Sequence, residues 1–252
     1  MSETEITFGL YLSAPYPCSY LPEQQARSQV VVPSHLVNTT IYAQLIQQNF
    51  RRSGEQVYRP RCDNCQACIS VRLRTTEFVA NKTQRRLYKR HQQELTAKLI
   101  HSPSYSNEHF ELYKHYQQTR HPETYEPTNK ADYENFLIRS YVDTRFIEFR
   151  SSDNVLRMVC IFDYLTDGLS AVYTFYDTEY QGSLGTYAIL YLSQLCQQWQ
   201  LPYLYLGYWV KNSPKMNYKN KFTPLEYNWH GQWLSKQPST CLLYTSDAAD
   251  DS

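Results

Sequence analysis

Apolar positions along the chain alternate between helical and strand spacing. Leu36, Ile41, Leu45 and Ile46 fall near helical spacing and are followed by the polar run RRSGE, which predicts a helix over 34–50. Ile69, Val71 and Leu73 alternate with Ser70, Arg72 and Arg74, the period-two pattern of a strand. From Thr83 to Ile100, Leu87, His91, Leu95 and Leu99 recur every fourth residue, which predicts one helix whose stripe packs while Arg85, Arg86, Lys89 and Arg90 face outward. The breaker-rich stretch SPSYSN at 102–107 then marks a boundary between a region 1–100 and a region 101–238.

The second half has a different rhythm. EHFELYKHYQQTRH and ADYENFLIRSYV read as helices flanking the loop PETYEPTN. Strand-like RFIEFR, VLRMVCIFDYL and LSAVYTFY follow, then the loop DTEYQGSLG, a helix TYAILYLSQLCQQWQ and a strand PYLYLGYW. Hairpin strands, a loop opening a long helix and a further strand make an α+β or mixed α/β pattern.

Composition narrows the class. With 252 residues the chain is long enough to bury a core as one large domain or two small ones. Its 24 tyrosines against 7 glycines imply an interior and clefts lined by aromatic rings whose hydroxyls need partners. No basic flank precedes an apolar run at the start, and no stretch reaches membrane-span length, so a soluble cytoplasmic protein with no membrane partner is expected. Residues 241–252, CLLYTSDAADDS, read as a non-native, adapter-derived tail. They hold Asp247, Asp250 and Asp251, so the chain without them carries a formal net charge of +4.

Charge and cysteine are concentrated locally. Between Arg51 and Lys98 twelve Lys and Arg residues stand against four acids, and Lys211, Lys215, Lys219 and Lys221 form a second basic cluster interleaved with aromatics. Such faces attract phosphate, although a solvated helix surface without a partner has the same composition. Cys62, Cys65 and Cys68 repeat at three-residue intervals, and Cys18 offers a fourth thiolate, so a structural zinc or an iron–sulfur cluster is one reading and a reduced, half-buried set is the other. Cys160 and Cys196 read as core. Gly182 and Gly185 before a helix let backbone N–H groups point at an anion, or form an ordinary turn with Ser183 as cap.

Several segments together resemble the aminoacyl-tRNA–protein transferases, the family that includes eukaryotic arginyltransferase and bacterial aspartate/glutamate leucyltransferase. The resemblance covers nearly all of residues 8–234 and looks like the bacterial branch. It is carried by PCSYLPEQQARSQVV, NFRRSGEQVYRPRCDNCQACISVRL, NKTQRRLYKR, YQQTRH, FIEFR, SAVYTFYD, SLGTYAILYLSQLC and YLGYWVKNSPKMNYKNKFTPLE. It implies a GNAT-like mixed α/β C-terminal domain behind a smaller cysteine-containing N-terminal α+β domain. It also implies transfer of leucine from charged tRNA to proteins that begin with Asp or Glu, marking them for N-degron (N-end rule) degradation, with no cofactor required. Arginyl transfer and acetyl-coenzyme A-dependent N-acetylation remain alternatives, as does a metal-stapled nucleic-acid binder without turnover.

On that resemblance Arg85, Arg86, Lys89, Arg90, Lys211, Lys215, Lys219 and Lys221 are expected to hold tRNA. Arg59, Arg61, Arg120 and His121 would grip the acceptor's acidic side chain, since a guanidinium fork binds a carboxylate with two bonds. Tyr173, Tyr176, Asp177, Ser183, Leu184, Gly185 and Thr186 would surround the reacting centre, with Glu148 or Asp177 as base. Glu148 also reads as an ion-pair partner near Arg150, His121 as a helix-end cap, and Tyr113 and Tyr116 as core.

Overall fold

The computed structural model describes residues 7–122, 126–211 and 213–238, the Lys215 side chain excepted; the tail 241–252 lies outside the described residues. The first sixty residues supply strands β1 (Gly9–Leu12), β2 (Tyr16–Pro17), β3 (Gln25–Ala26) and β4 (Ser28–Val32), helix α1 (Thr39–Gln47), and strands β5 (Arg51–Ser53) and β6 (Gln56–Pro60). A small antiparallel sheet has the order β1-β4-β6-β5. The helix expected over 34–50 begins later. Ser34–Leu36 form a 3-10 turn, and Asn38 Oδ1 accepts the Ile41 amide at 3.0 Å, a local bond that sets the first helical residue at Thr39.

The remaining elements are β7 (Ile69–Arg74), α2 (Lys82–Glu94), β8 (Leu95–Ile100), α3 (Asn107–Arg120) and α4 (Lys130–Tyr133) with a π-helical turn Glu134–Ile138. They continue with β9 (Thr144–Ser151), β10 (Leu156–Tyr164), β11 (Gly168–Tyr176), α5 (Leu184–Gln198), β12 (Tyr203–Trp209), a 3-10 segment Pro214–Lys221, β13 (Leu225–Trp229) and β14 (Gln232–Leu234). Eight strands join in one mixed sheet ordered β14-β13-β7-β12-β11-β10-β9-β8, in which β11 and β12 run parallel. The expectation of an α+β chain with mixed strand directions is met.

The helix expected over 83–100 is half helix and half strand. The capping box of Asn81 and Gln84 starts α2, and at Leu95 the backbone turns extended (φ −124°, ψ 132°). Residues 95–100 then pair with β9, from Leu95 opposite Ser151 to Ile100 opposite Phe146. Strand β7 sits between β13 and β12, so Ser70 and Arg72 are buried along with Ile69, Val71 and Leu73.

One apolar core, with Leu73, Phe149, Phe162, Tyr187, Leu190 and Leu204, lies between the large sheet and α5 with α2. The opposite face is covered by α1 around Tyr42, Ile46 and Tyr205, and by α3 and α4 around Tyr113, Tyr133 and Phe175. The small sheet is fastened to the large one by Arg52 of β5. Its Nε and Nη2 donate to Asp163 of β10 at 2.7 and 2.5 Å, and Nη2 also donates to Thr144 Oγ1 at 2.9 Å. Side-chain exposure of the pair is 2 and 0 %. Replacing Asp163 by Ala leaves this guanidinium buried without its counter-charge, so urea denaturation should show a loss of about 3–5 kcal/mol, and the double replacement Arg52→Met with Asp163→Leu should recover a large part of it.

Candidate active site

Strands β11 and β12 begin as neighbours and then part. Their pairing runs from Gly168 opposite Tyr203 to Ser170 opposite Tyr205 and ends there. Beyond that point β12 carries a bulge against β7 at Gly207, whose φ of +77° is the left-handed conformation glycine tolerates. The parting leaves the C-terminal half of β11 free on one side, and α5 starts directly beyond it. Ser183 donates through Oγ to Thr186 Oγ1 at 2.8 Å and no side chain caps the helix; the Leu184 amide donates to the Gly182 carbonyl at 3.2 Å, which leaves the amides of Gly185 and Thr186 at the positive end of the helix dipole.

The end of β11, the start of α5 and the end of α3 meet around Tyr176. Gly185 in the first turn of α5 lies against the Tyr176 ring; a Cβ there would stand 3.7 Å from it. From α3, Arg120 donates through Nη2 to the Tyr176 hydroxyl at 3.2 Å, and Tyr116 meets the ring edge-on at 4.9 Å between centroids. The Tyr116 ring also faces His121 at 5.9 Å and Tyr173 at 6.5 Å. Gln117 donates to the Tyr173 hydroxyl at 2.6 Å. Burial raises the phenol pKa of Tyr173 and Tyr116, so both remain hydroxyls that donate hydrogen bonds. The structure therefore brings Tyr173, Tyr176, Arg120, His121, Ser183, Leu184, Gly185 and Thr186 to one place. Leu184 itself is buried in the core beneath it.

The loop ahead of α5 is held by α2. Gly182 has φ +107°, and a Cβ there would fall 2.6 Å from His91 Nε2. At its other end α2 touches the 3-10 segment through Gln84 Nε2, which donates to the Lys221 carbonyl at 2.9 Å. Helix α2 thus runs from the second basic cluster to the glycine turn, with Arg85, Arg86, Lys89 and Arg90 exposed along it.

Other expected site residues lie elsewhere. Glu148 is buried under α3, where His109 Nε2 lies 2.7 Å from Oε1 and Arg150 Nε donates to Oε2 at 2.9 Å, with Arg150 also holding Glu108. Its geometry is that of the ion pair, and both oxygens are engaged. Asp177 turns from Tyr176 to Arg157, whose Nη1 donates to Oδ2 at 2.8 Å, while Oδ1 accepts the Glu179 amide. Arg59 is stapled to Gln29 and the Gln48 carbonyl beside the Phe50 ring. Arg59 and Arg61 line a cavity of about 700 Å³ shared with Cys18, Cys62, Cys65 and Cys68, apart from Arg120 and His121 at the end of α3.

The four cysteines do surround one cavity, and all are free thiols. Among the described residues, however, no three His, Cys, Asp or Glu side chains converge to hold a metal ion. Cys62 Sγ faces the Arg27 carbonyl, and Cys65 Sγ accepts the Ala67 amide. Burial raises the Cys62 thiol pKa, which disfavours the thiolate a metal needs. The structure supports the reduced, half-buried alternative. Of the second basic cluster, Lys211 and Lys221 are exposed and Lys219 is buried, its amine donating to the Tyr208 carbonyl. Lys215's side chain lies outside the described residues. Sequence pattern did not reveal Gln117, which positions Tyr173, or Arg51, a buried cation whose only sequence signal is its place beside Arg52.

Comparison with known proteins places this geometry. The N-terminal model of the arginine-tRNA-protein transferases matches residues 16–86, and the C-terminal model matches residues 108–228. The chain belongs to that transferase family. An aspartate/glutamate leucyltransferase of Nitrosospira multiformis is 47 % identical over 240 residues, which is 92 % of this chain and 94 % of the relative. One from Methylobacillus flagellatus is 47 % identical over 225 residues, 88 and 90 % of the two chains. Among solved structures, L-PGS from Bacillus licheniformis aligns with a TM-score of 0.44 at 14 % identity over 56 % of this chain and 45 % of that one, too low a score to carry weight. Among the described residues of this transferase no helix is long and apolar enough to cross a membrane.

The network around Glu148 gives a pH signature. Burial works to raise the Glu148 carboxyl, but hydrogen bonds from Arg150 and His109 outweigh it and hold the pKa below the ordinary value. A depressed carboxyl stabilises the fold above its unfolded pKa, about 4.3, and loses that contribution as pH falls through its lower folded value. Denaturation between pH 5 and pH 3 should therefore show wild type losing stability more steeply than Glu148→Gln, with the difference between them shrinking toward acid.

Proposed function

We propose that this chain transfers leucine from leucyl-tRNA to the α-amine of proteins that begin with Asp or Glu, and that the product enters the N-degron degradation route. The observation that carries this reading is the near end-to-end match to relatives bearing the leucyltransferase name, 94 % of one relative's length being covered. The parting of parallel β11 and β12, with a long helix starting beside the opened edge, supports a GNAT-like C-terminal domain, in which the opened edge receives the acyl donor. The small sheet of residues 9–60 supports an N-terminal unit shorter than 1–100, because β7 and β8 join the large sheet and the cysteine cavity is lined by Tyr208 and Asn228 of that sheet as well.

The reaction needs little beyond placement. The aminoacyl ester is already activated, and an α-amine with a pKa near 8 is partly neutral at physiological pH. The amine attacks the ester carbonyl, and the carbonyl oxygen gains negative charge. The amides of Gly185 and Thr186 in the first turn of α5 and the Tyr176 hydroxyl, oriented by Arg120, are the donors suited to that oxygen. Collapse breaks the bond to the terminal ribose oxygen, which takes up the proton released by the amine. No metal or nucleotide enters the balance. The exposed cations of α2, whose Gln84 touches the Lys221 backbone, form the surface for the tRNA phosphates.

Purified protein incubated with labelled leucyl-tRNA or arginyl-tRNA and a peptide starting with Asp should transfer leucine. Transfer from arginyl-tRNA alone would reassign the donor, and transfer from neither would overturn the reading. Replacing Arg85, Arg86 and Lys89 together by Ala should weaken tRNA binding and flatten its salt dependence by about 0.7–0.9 in log–log slope per phosphate contact removed, as read by filter binding at several salt concentrations.

A further inference from the structure

The consecutive arginines of β5 have opposite fates. Arg52 closes its Nε/Nη2 edge on Asp163. Arg51 is equally buried, only 6 % exposed, yet of its guanidinium only Nη1 is satisfied, by the Phe50 carbonyl at 2.8 Å. Its Nε and Nη2 are buried without a partner. These two nitrogens form the edge that grips a carboxylate with two parallel bonds, the same edge Arg52 uses. The other buried arginines among the described residues, Arg52 and Arg72, each have an acid, Asp163 and Glu226.

A second cation stands beside the first. Lys219 is 4 % exposed, makes no ion pair among the described residues, and is bonded to the Tyr208 carbonyl. Both approach the space that a side chain on Gly207 would fill, Lys219 Nζ to 3.8 Å and Arg51 Nε to 4.0 Å from a Cβ built there. Burial, with the charge of Arg51 adding to it, lowers the Lys219 ammonium to about 7. A buried guanidinium with two unmet donors beside a buried amine costs free energy unless something anionic joins them, and an anion there would favour the charged amine. Glycine at 207 puts no side chain between Arg51 and Lys219. Arg51 Cζ lies 5.6 Å from the Tyr208 ring centroid, and Tyr208 is part of the wall of the cavity of about 700 Å³, so the pair stands behind that wall.

We propose that Arg51 and Lys219 form the subsite for the acceptor's side-chain carboxylate, so that they, and not Arg59 or Arg61, select proteins beginning with Asp or Glu. The proposal rests on the transferase reading above and deepens it. A carboxylate on one or two methylenes can reach cations this deep, whereas a polynucleotide phosphate, flanked by ribose on both sides, needs the exposed kind of surface that α2 offers. The Arg51 fork supplies two bonds to the carboxylate, and the Lys219 ammonium supplies further charge beside it.

The test compares peptides that begin with Asp and with Asn, as acceptors for the full chain with leucyl-tRNA. Wild type should prefer Asp strongly. Arg51→Gln and Lys219→Met should each lower kcat/KM for the Asp peptide at least tenfold and bring the Asp-to-Asn ratio toward one, with tRNA affinity unchanged; Arg51→Lys, which keeps the charge without the fork, should fall between. Variants that keep the wild-type ratio overturn the proposal, and a weakened tRNA affinity with an intact ratio assigns the pair to an RNA phosphate instead. If wild type transfers nothing, the transferase reading has failed, and calorimetry with the dipeptides Asp-Ala and Asn-Ala decides the subsite separately. The same titration on wild type decides it should the variants not fold. Selective binding of Asp-Ala supports the subsite, and equal binding of both dipeptides overturns it.

Discussion

The buried pair of Arg52 and Asp163 is the constraint on which the rest of the structure depends. It crosses from the small sheet to the centre of the large one, with 2 and 0 % side-chain exposure, and its geometry is bidentate. An ion pair removed from water holds two elements at one distance and one angle, because any slippage leaves both charges unsolvated. Thr144 adds a hydrogen bond to each partner and makes the joint stiffer still. Once Arg52 is fixed, the neighbouring side chain on β5 must point the other way, since successive residues in a strand alternate. Arg51 is thereby delivered to Gly207 and Tyr208 on β12.

The parting of β11 from β12 is the second organising feature, and it turns a sheet into a site. A continuous ladder would fill both edges with backbone hydrogen bonds. Here pairing ends at Ser170 and Tyr205, β12 shifts register against β7 at Gly207, and the first turn of α5 returns to the end of β11, with Gly185 against Tyr176. Tyr173 and Tyr176 then have neighbours from α3 rather than from a strand, through Gln117, Tyr116 and Arg120. Helix α2 supports the other side by pressing His91 against Gly182.

What could be read from the sequence followed physical lines. Strands β7, β9, β10, β11 and β12 and helices α3 and α5 were visible because each carries one period over its length. The run from Leu87 to Leu99 misled because four is an even number: leucines four apart share a face of a strand as well as of a helix. Only the pairing of residues 95–100 with β9 separates the two. Tyr173, Tyr176 and Gly185 lie beside Arg120 and His121, which the resemblance groups with Arg59 and Arg61 instead, and no period reports that Asp177 turns to Arg157 or that both Glu148 oxygens are taken. Cysteine spacing likewise reports a gathering of thiols around one cavity without reporting their orientation. Lys219 and Lys221 look alike in sequence, and tertiary packing alone buries one and exposes the other.

Depth sorts the cations by the work they suit. Those of α2 are exposed, so their attraction to a polyanion is long-ranged, additive and screened over about 8 Å at physiological salt. Such a surface gathers RNA without discriminating fine chemistry. Arg51 and Lys219 are shielded from both water and salt, so their attraction is short-ranged and depends on a partner fitting the gap at Gly207. A buried donor left unmatched is costly, and an amide in place of a carboxylate would leave the neighbouring cations unneutralised. On the proposed function, selectivity for a single side chain therefore falls to the buried pair, while capture of the much larger donor falls to the surface. The Arg52–Asp163 joint places the first of these by holding β5 against the large sheet.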